Sequence, residues 1–316
     1  MSYILSKLKQ IEPSKIMVLF LILIIIVIGI SSNARFATLG NFINVLEQAA
    51  PLAFVSLGQT FAVLIGGIDL SIGAVVSASS VMLAGLVDNN HEMMIPALFL
   101  VLAFGAGFGF INGWITVKTG IHPLVVTLGT ASILNGLVLL YTLQPSGSVP
   151  FWFEEFAYGR VMGIPISAMI MLSCFILVAV FLKYRSAGRA IYAVGGNPEA
   201  AHLSGIRNNW IIMSAYSASG FFAALAGVYF VSRTGIGDPR VGEALTLASI
   251  TPVIVGGTVL GGGRGGVWGC LLGVAMISLL NNLLNYMNTS TFIQWVIQGL
   301  IIIVAVAIFV NRSKKL

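Results

Sequence analysis

From Ile16 to Ile30 the chain reads IMVLFLILIIIVIGI without one charged side chain, and runs of this kind recur to the C-terminus. Each helical crossing of a membrane needs about 20 apolar residues. Apolar runs bounded by charge, proline or asparagine fall at 15–33, 44–65, 70–87, 94–116, 123–143, 163–182, 209–231, 244–260, 267–287 and 292–310. Apolar residues make up 58% of the 316 and charged residues only 8%. A soluble domain carries about 25% charged residues, so lipid is the solvent for this chain. The predicted fold is all-α: a polytopic membrane helical bundle of about ten transmembrane helices, one domain over 1–316 with no room for a second, soluble one.

The positive-inside rule orients the bundle. With the N-terminus in the cytoplasm and ten alternating spans, Lys7, Lys9, Lys15, Lys118, Lys183, Arg185, Arg189, Arg207, Arg264, Arg312, Lys314 and Lys315 fall inside. Only Arg35, Arg160, Arg233 and Arg240 fall outside. Both termini are therefore expected in the cytoplasm. The run Ile16–Ile30 behind three lysines has the outline of a signal peptide; it is read instead as a retained first helix.

The net charge of +6 is no nucleic-acid signal, because basic residues sit at span ends and are not interleaved with aromatics. Cys174 and Cys270 lie singly in apolar runs and read as packing residues. His91, His122 and His202 are scattered, so no metal site is expected. No G-x-x-x-x-G-K-[ST] loop occurs, so no ATP hydrolysis is expected of this chain.

Two polar segments interrupt the pattern. Residues 144–162 fall outside. Residues 183–208, KYRSAGRAIYAVGGNPEAAHLSGIRN, form the sizeable cytoplasmic element. Asn197-Pro198-Glu199 is a helix start, with a capping amide, proline at the first position and acid in the first turn. The helix Pro198–Leu203 should end at Gly205. Gly105, Gly109 and Gly113 lie four apart, as do Gly261, Gly265, Gly269 and Gly273; on a helix each set makes a smooth stripe for a close neighbour. Gly66-Gly67-Ile68-Asp69-Leu70 and Gly256-Gly257-Thr258-Val259-Leu260 share a faint GGxxL echo at an offset of 190.

Asp69 is the one buried charge worth notice. It reads either as the cap of the third helix, beside Ser71, or as part of a substrate or gating element. Gln59, Asn112, Asn135, Asn281, Asn282, Asn285 and Gln298 are the polar residues inside spans. Amides there hold helices together by default, and bind sugar hydroxyls where they line a path. The pathway or gating candidates are Gln59, Asp69, Ser71, Asn112, Asn135 and Asn282.

Four segments together resemble the permeases of ribose-type sugar ABC importers: GGIDLSIG at 66–73, TLGTASILNGL at 127–137, GRAIYAVGGNPEAAHLSGI at 188–206 and GGTVLGGGRG at 256–265. The resemblance implies a membrane-spanning subunit of an ATP-driven importer for a monosaccharide or similar small polar solute, in the bacterial inner membrane. It implies ABC ATPase subunits that carry ATP and Mg, a periplasmic solute-binding protein and a second permease copy or paralogue. No cofactor is expected on this chain itself. ATPase coupling falls on Gly188, Arg189, Gly195, Gly196, Asn197, Pro198, Glu199, Ala200, Ala201, Ser204 and Gly205. Asn135 stands where the family usually has Arg, Thr246 and Ala248 where it has an acidic pair, and Pro252 replaces a small residue. These departures leave open a related permease for a nucleoside or other non-sugar ligand. An ion-coupled carrier is a further alternative, weakened by the lack of intramembrane carboxylate chains.

Overall fold

The computed structural model describes residues 13–301 and 303, apart from 89 and 291. Helices dominate it. Those that build the bundle are α1 Pro13–Ser32, α2 Leu39–Leu64, α3 Ile72–Val87, α4 Met94–Thr119, α5 Pro123–Tyr141 and α6 Ile166–Tyr184. The short α7 Ser186–Gly196 and α8 Pro198–Leu203 follow, then α9 Asn208–Thr234, α10 Leu245–Ala248, α11 Ile250–Val255 and α12 Val267–Tyr286. The last, α13, covers Phe292–Ile301. The remainder of the expected span at 292–310 lies outside the described residues. Among them, six helices are long and apolar enough to cross a membrane: α1, α4, α5, α6, α9 and α12.

The helices sort by what surrounds them. From Ala49 to Leu64 every residue of α2 is buried, including Ser56, Gln59 and Thr60. Protein rather than lipid is its solvent, which is why a helix of crossing length is less apolar than those six. α9 packs against α2, α3 and α4 and forms the other half of the core. By contrast α1 and α5 show rows of exposed Leu, Ile and Val, as lipid-facing helices must.

Glycine lets the core close. Gly105 and Gly220 each stand against the other's backbone carbonyl, Gly109 against that of Tyr216, and Gly113 against Met213. This stripe on α4 is the one expected from spacing. The second stripe is corrected. Only Gly269 and Gly273 lie on α12, facing Gly256 and Pro252. Gly261 and Gly265 belong to a loop whose Gly262, Gly263, Gly265 and Gly266 all have positive φ, a conformation that breaks a helix.

The expected span at 244–260 is corrected too. It is two short helices, α10 and α11, interrupted at Ser249. Gly257 (φ 95°) ends α11, its N–H donating to Ile254 O at 2.9 Å and that of Thr258 to Val253 O at 3.0 Å. Before α10 the chain runs as turns against α3. Asp238 N–H donates to Ser80 Oγ at 3.1 Å and Gly242 N–H to Ser77 Oγ at 3.0 Å. Serines of α3 thus satisfy backbone that has no helix of its own.

At the opposite end from α7 and α8, a two-stranded hairpin, β1 Arg160–Val161 and β2 Ile164–Pro165, pairs antiparallel with Val161 opposite Ile164. There Arg160 Nη2 lies 2.9 Å from Glu47 Oε1. Ser146 bridges to Gly237.

Candidate functional site

The turn between α2 and α3 begins with a glycine C-cap. Gly66 has φ 83°, its N–H donates to Val63 O at 2.9 Å, and Gly67 N–H donates to Ala62 O at 2.9 Å. A left-handed residue closing these two bonds is the glycine-terminated helix end. The chain then turns inward and places Asp69 with no solvent exposure at all.

Its carboxylate is held by Ser71 of the same turn and by Ser219 of α9. Oδ1 accepts Ser71 N–H at 2.9 Å and Ser71 Oγ–H at 2.6 Å, and Oδ2 accepts Ser219 Oγ–H at 2.7 Å from α9. Ser71 Oγ in turn accepts from Asn112 Nδ2 of α4 at 2.8 Å. With its amide assigned so that nitrogen faces the Asp69 carbonyl, Gln59 of α2 holds the Asp69 backbone from both sides, donating to its carbonyl at 3.1 Å and accepting its N–H at 3.2 Å. Thr127 of α5 joins by accepting Leu70 N–H at 3.0 Å. Four of the six pathway candidates, Gln59, Asp69, Ser71 and Asn112, therefore form one buried network. Ser71 occupies the position before α3 but makes no side-chain cap bond. From Asn208 to Ser219, α9 rises about 16 Å, and from Asn112 to Thr119, α4 covers about 10 Å. The carboxylate lies well inside the bundle.

Two buried atoms beside it have no partner: Asn112 Oδ1 and Tyr216 Oη. A Cβ on Gly67 would run into the Tyr216 hydroxyl. Nothing in the sequence marks Ser219, Tyr216 or Thr127 as members of this network. A serine within Ala218-Ser219-Gly220 carries no periodic signal; Thr127 opened a noted motif but lacked a visible partner.

The other two candidates lie elsewhere. Asn282 exchanges paired hydrogen bonds with Asn41, both at 2.9 Å, and ties α12 to the start of α2. Asn135 is half-buried on α5, about 12 Å along the helix from Thr127. Asn281 accepts from Gln298 at 3.0 Å and Asn285 from Gln294 at 2.8 Å, fastening α13 to α12.

The segment 183–208 is mostly helical. Gly188 in α7 packs on the backbone of Phe181 and Leu182, and Arg189 Nη1 donates to Tyr184 O at 3.0 Å. Gly195 is buried against the Leu64 carbonyl and Gly263 N, and Gly196 lies beside Gly263. Gly263 N–H donates to Leu64 O at 2.9 Å. Three chain segments thus meet backbone to backbone at the last turn before Asp69.

α8 forms where its caps predict. Asn197 Oδ1 accepts Ala200 N–H at 3.0 Å, Pro198 takes the first position and Glu199 the first turn. Gly205 (φ 82°) closes the far end, Ser204 Oγ–H donates to Ala200 O at 2.9 Å, and Asn208 Nδ2 ties Pro198 O to α9 at 2.6 Å. Pro198, Glu199, Ala200 and His202 are exposed. Ala201 is not: at 4% exposure it faces the protein's own interior. Leu203, 81% exposed, is the apolar side chain that α8 presents outward. Among the described residues no cluster of three His, Cys, Asp or Glu could hold a metal.

These features define a multi-pass helical membrane protein with a buried polar hub and an exposed helix on one end. The chain belongs to a permease family: residues 41–306 match the model described as branched-chain amino acid transport system / permease component. It is 38% identical over 301 residues to the ribose import permease protein RbsC of Bacillus subtilis, covering 94% of this chain and 92% of that one. It is 33% identical to the D-allose transport system permease protein AlsC of Escherichia coli, covering 91% and 89%. It is 32% identical to the fructose import permease protein FrcC of Rhizobium meliloti, covering 94% and 85%. No solved structure matches the chain.

Proposed function

We propose that this chain is the membrane-spanning subunit of an ATP-driven importer for a monosaccharide or similar small polar solute, forming the pathway as a dimer in the bacterial inner membrane. ABC ATPase subunits carry ATP and Mg and dock on its cytoplasmic face; a periplasmic solute-binding protein delivers solute opposite. The relatives that cover most of the chain are named for ribose, allose and fructose, which supports a monosaccharide. The ten-crossing reading adds α2, α3, α13 and the broken segment 235–255 to the six long helices. Lys15, Lys183, Arg185, Arg189 and Arg264 gather at the end that holds α7, and Arg160 and Arg233 at the other, which supports cytoplasmic termini.

One observation carries the reading. α8 is an exposed, doubly capped helix, and the chain leading into it at Gly195 touches Leu64 and Gly263 by backbone alone. A push on α8 has no flexible side chain in which to dissipate before reaching the turn at Asp69. Because Ala201 is buried, the docking test falls on outward residues. Leu203→Asp should leave insertion and dimer size unchanged while removing co-purification with the ATPase and solute-stimulated hydrolysis in liposomes. Normal stimulation and uptake in both Leu203→Asp and Ala200→Trp would place the docking surface elsewhere. Uptake that persists in cells lacking the ATPase would instead favour an ion-coupled carrier.

A further inference from the structure

A cavity of about 300 Å³ lies between α13 and the turn that leads into α10. Glu243, Leu247, Trp295 and Gln298 line it, together with the small Ala244 and Gly299. Glu243 is exposed, as are Leu247 and Trp295. Gln298 Nε2 donates to Asn281 Oδ1 at 3.0 Å, which fixes the amide at the cavity wall.

Depth gives the cavity its meaning. Gly242 stands against the Gly73 carbonyl, and its N–H donates to Ser77 Oγ at 3.0 Å. From Ser77 to the end of α3 at Val87 the helix rises about 15 Å. On the other wall, Asn281 stands about 21 Å along α12 from its start at Val267. Both distances put Glu243 near the middle of a hydrocarbon layer about 30 Å thick. A carboxylate at that level is costly against lipid and belongs in the bundle interior or a water-filled cavity. Glu243 is not enclosed by its own chain, so it faces water. Asp69 differs: its oxygens are taken by Ser71 and Ser219.

We infer that this cavity is a monosaccharide contact site on the translocation pathway, with Trp295 stacking on the sugar ring and Glu243 and Gln298 bonding its hydroxyls. The inference rests on the importer reading above. A sugar ring carries hydroxyls at its edge and C–H groups on its faces. An aromatic ring covers such a face, and a few polar groups beside it fix the orientation. A lipid chain offers the carboxylate nothing. A cation suits Trp295 and Glu243 but leaves the amide N–H of Gln298 unused.

The test uses the full-length chain in liposomes with Leu247→Cys as reporter. A thiol reacts with a methanethiosulfonate as its thiolate, which forms in water and not in hydrocarbon. The probes are D-ribose, D-allose and D-fructose, and uptake of each is measured in cells that make the chain, with a deletion strain as blank. Leu247→Cys should react, and a sugar that is taken up should slow the reaction. Adding Glu243→Ala should raise the half-protecting concentration at least about tenfold, as expected for a hydrogen bond to a charged group. Adding Trp295→Ala should raise it about fivefold. Uptake of none of the three sugars would remove the monosaccharide reading and this site with it. An unreactive Leu247→Cys, uptake without protection, or protection unchanged in both variants would overturn the site alone. Protection by tetramethylammonium and by none of the sugars would assign a cation instead. Should Glu243→Ala fail to fold, Glu243→Gln must still raise the half-protecting concentration about fivefold.

Discussion

Asp69 is a carboxylate whose partners are two hydroxyls and one backbone N–H. Removing it orphans Ser219 Oγ and Ser71 N–H at full burial, at about 1–3 kcal/mol for each group. Asparagine keeps an oxygen for Ser71 and turns an amide N–H₂ toward the Ser219 hydroxyl, which accepts as readily as it donates. Asp69→Asn should therefore stay within about 1 kcal/mol of the parent, and Asp69→Ala should lower the unfolding midpoint of the purified protein sharply. Equal midpoints would show that the hub does not hold the bundle. If Asp69→Asn is stable yet transport is lost, the charge itself serves the pathway. The sequence made Asp69 conspicuous because a lone acid among apolar residues is costly. It could not reveal Ser219, since a hydroxyl in a small-residue helix looks the same whether it faces a carboxylate or another helix.

At the scale of elements, the α4–α9 pair rests on contact between backbones. A methyl at Gly109 would overlap the Tyr216 carbonyl, whereas Gly107, on the same helix, has open space around it. Overpacking a tight contact costs about 1–3 kcal/mol. Gly109→Ala should lower the unfolding free energy by that amount and Gly107→Ala should not; matching losses would mean that helix propensity, not approach, governs both sites. Spacing alone exposed this stripe, because α4 is one uninterrupted helix. The same spacing misled at Gly261 and Gly265. Glycines four apart describe a stripe only where the backbone is helical, and here left-handed φ values had already taken the chain out of a helix. α8 was legible to the residue because its caps are local. α7 was not, since its helix is secured by packing on α6 and on the Leu64 turn rather than by any terminal signal.

For the molecule as a whole, the two glycine turns fix the topology. Gly66 and Gly257 share one geometry: a left-handed glycine whose N–H reaches back three residues, followed by an N–H that reaches back five. The structural match is Gly66 to Gly257, one residue off the GGxxL alignment, so the echo lies in the helix ends and not in the letters. The loop that follows Gly257 meets the Leu64 turn through the Gly263–Leu64 bond. Both loops therefore lie at one end of the bundle, and an even number of crossings separates them. If α3, α4, α5, α6 and α9 each cross once they supply an odd number, and the proposed ten-crossing topology then has segment 235–255 make one more passage. That proposed passage runs through turns on α3 and then α10 and α11, each too short to register as a span by itself. Single-cysteine labelling tests the consequence. Met162, 99% exposed at the hairpin tip, and Leu203 on α8 should lie on opposite sides of the membrane. In intact spheroplasts an impermeant maleimide should label Met162→Cys at once and Leu203→Cys only after permeabilisation. The unmodified chain serves as the blank, since Cys270 is buried and Cys174 partly so. Labelling of both sites from outside would break the parity argument, and with it the passage assigned to 235–255.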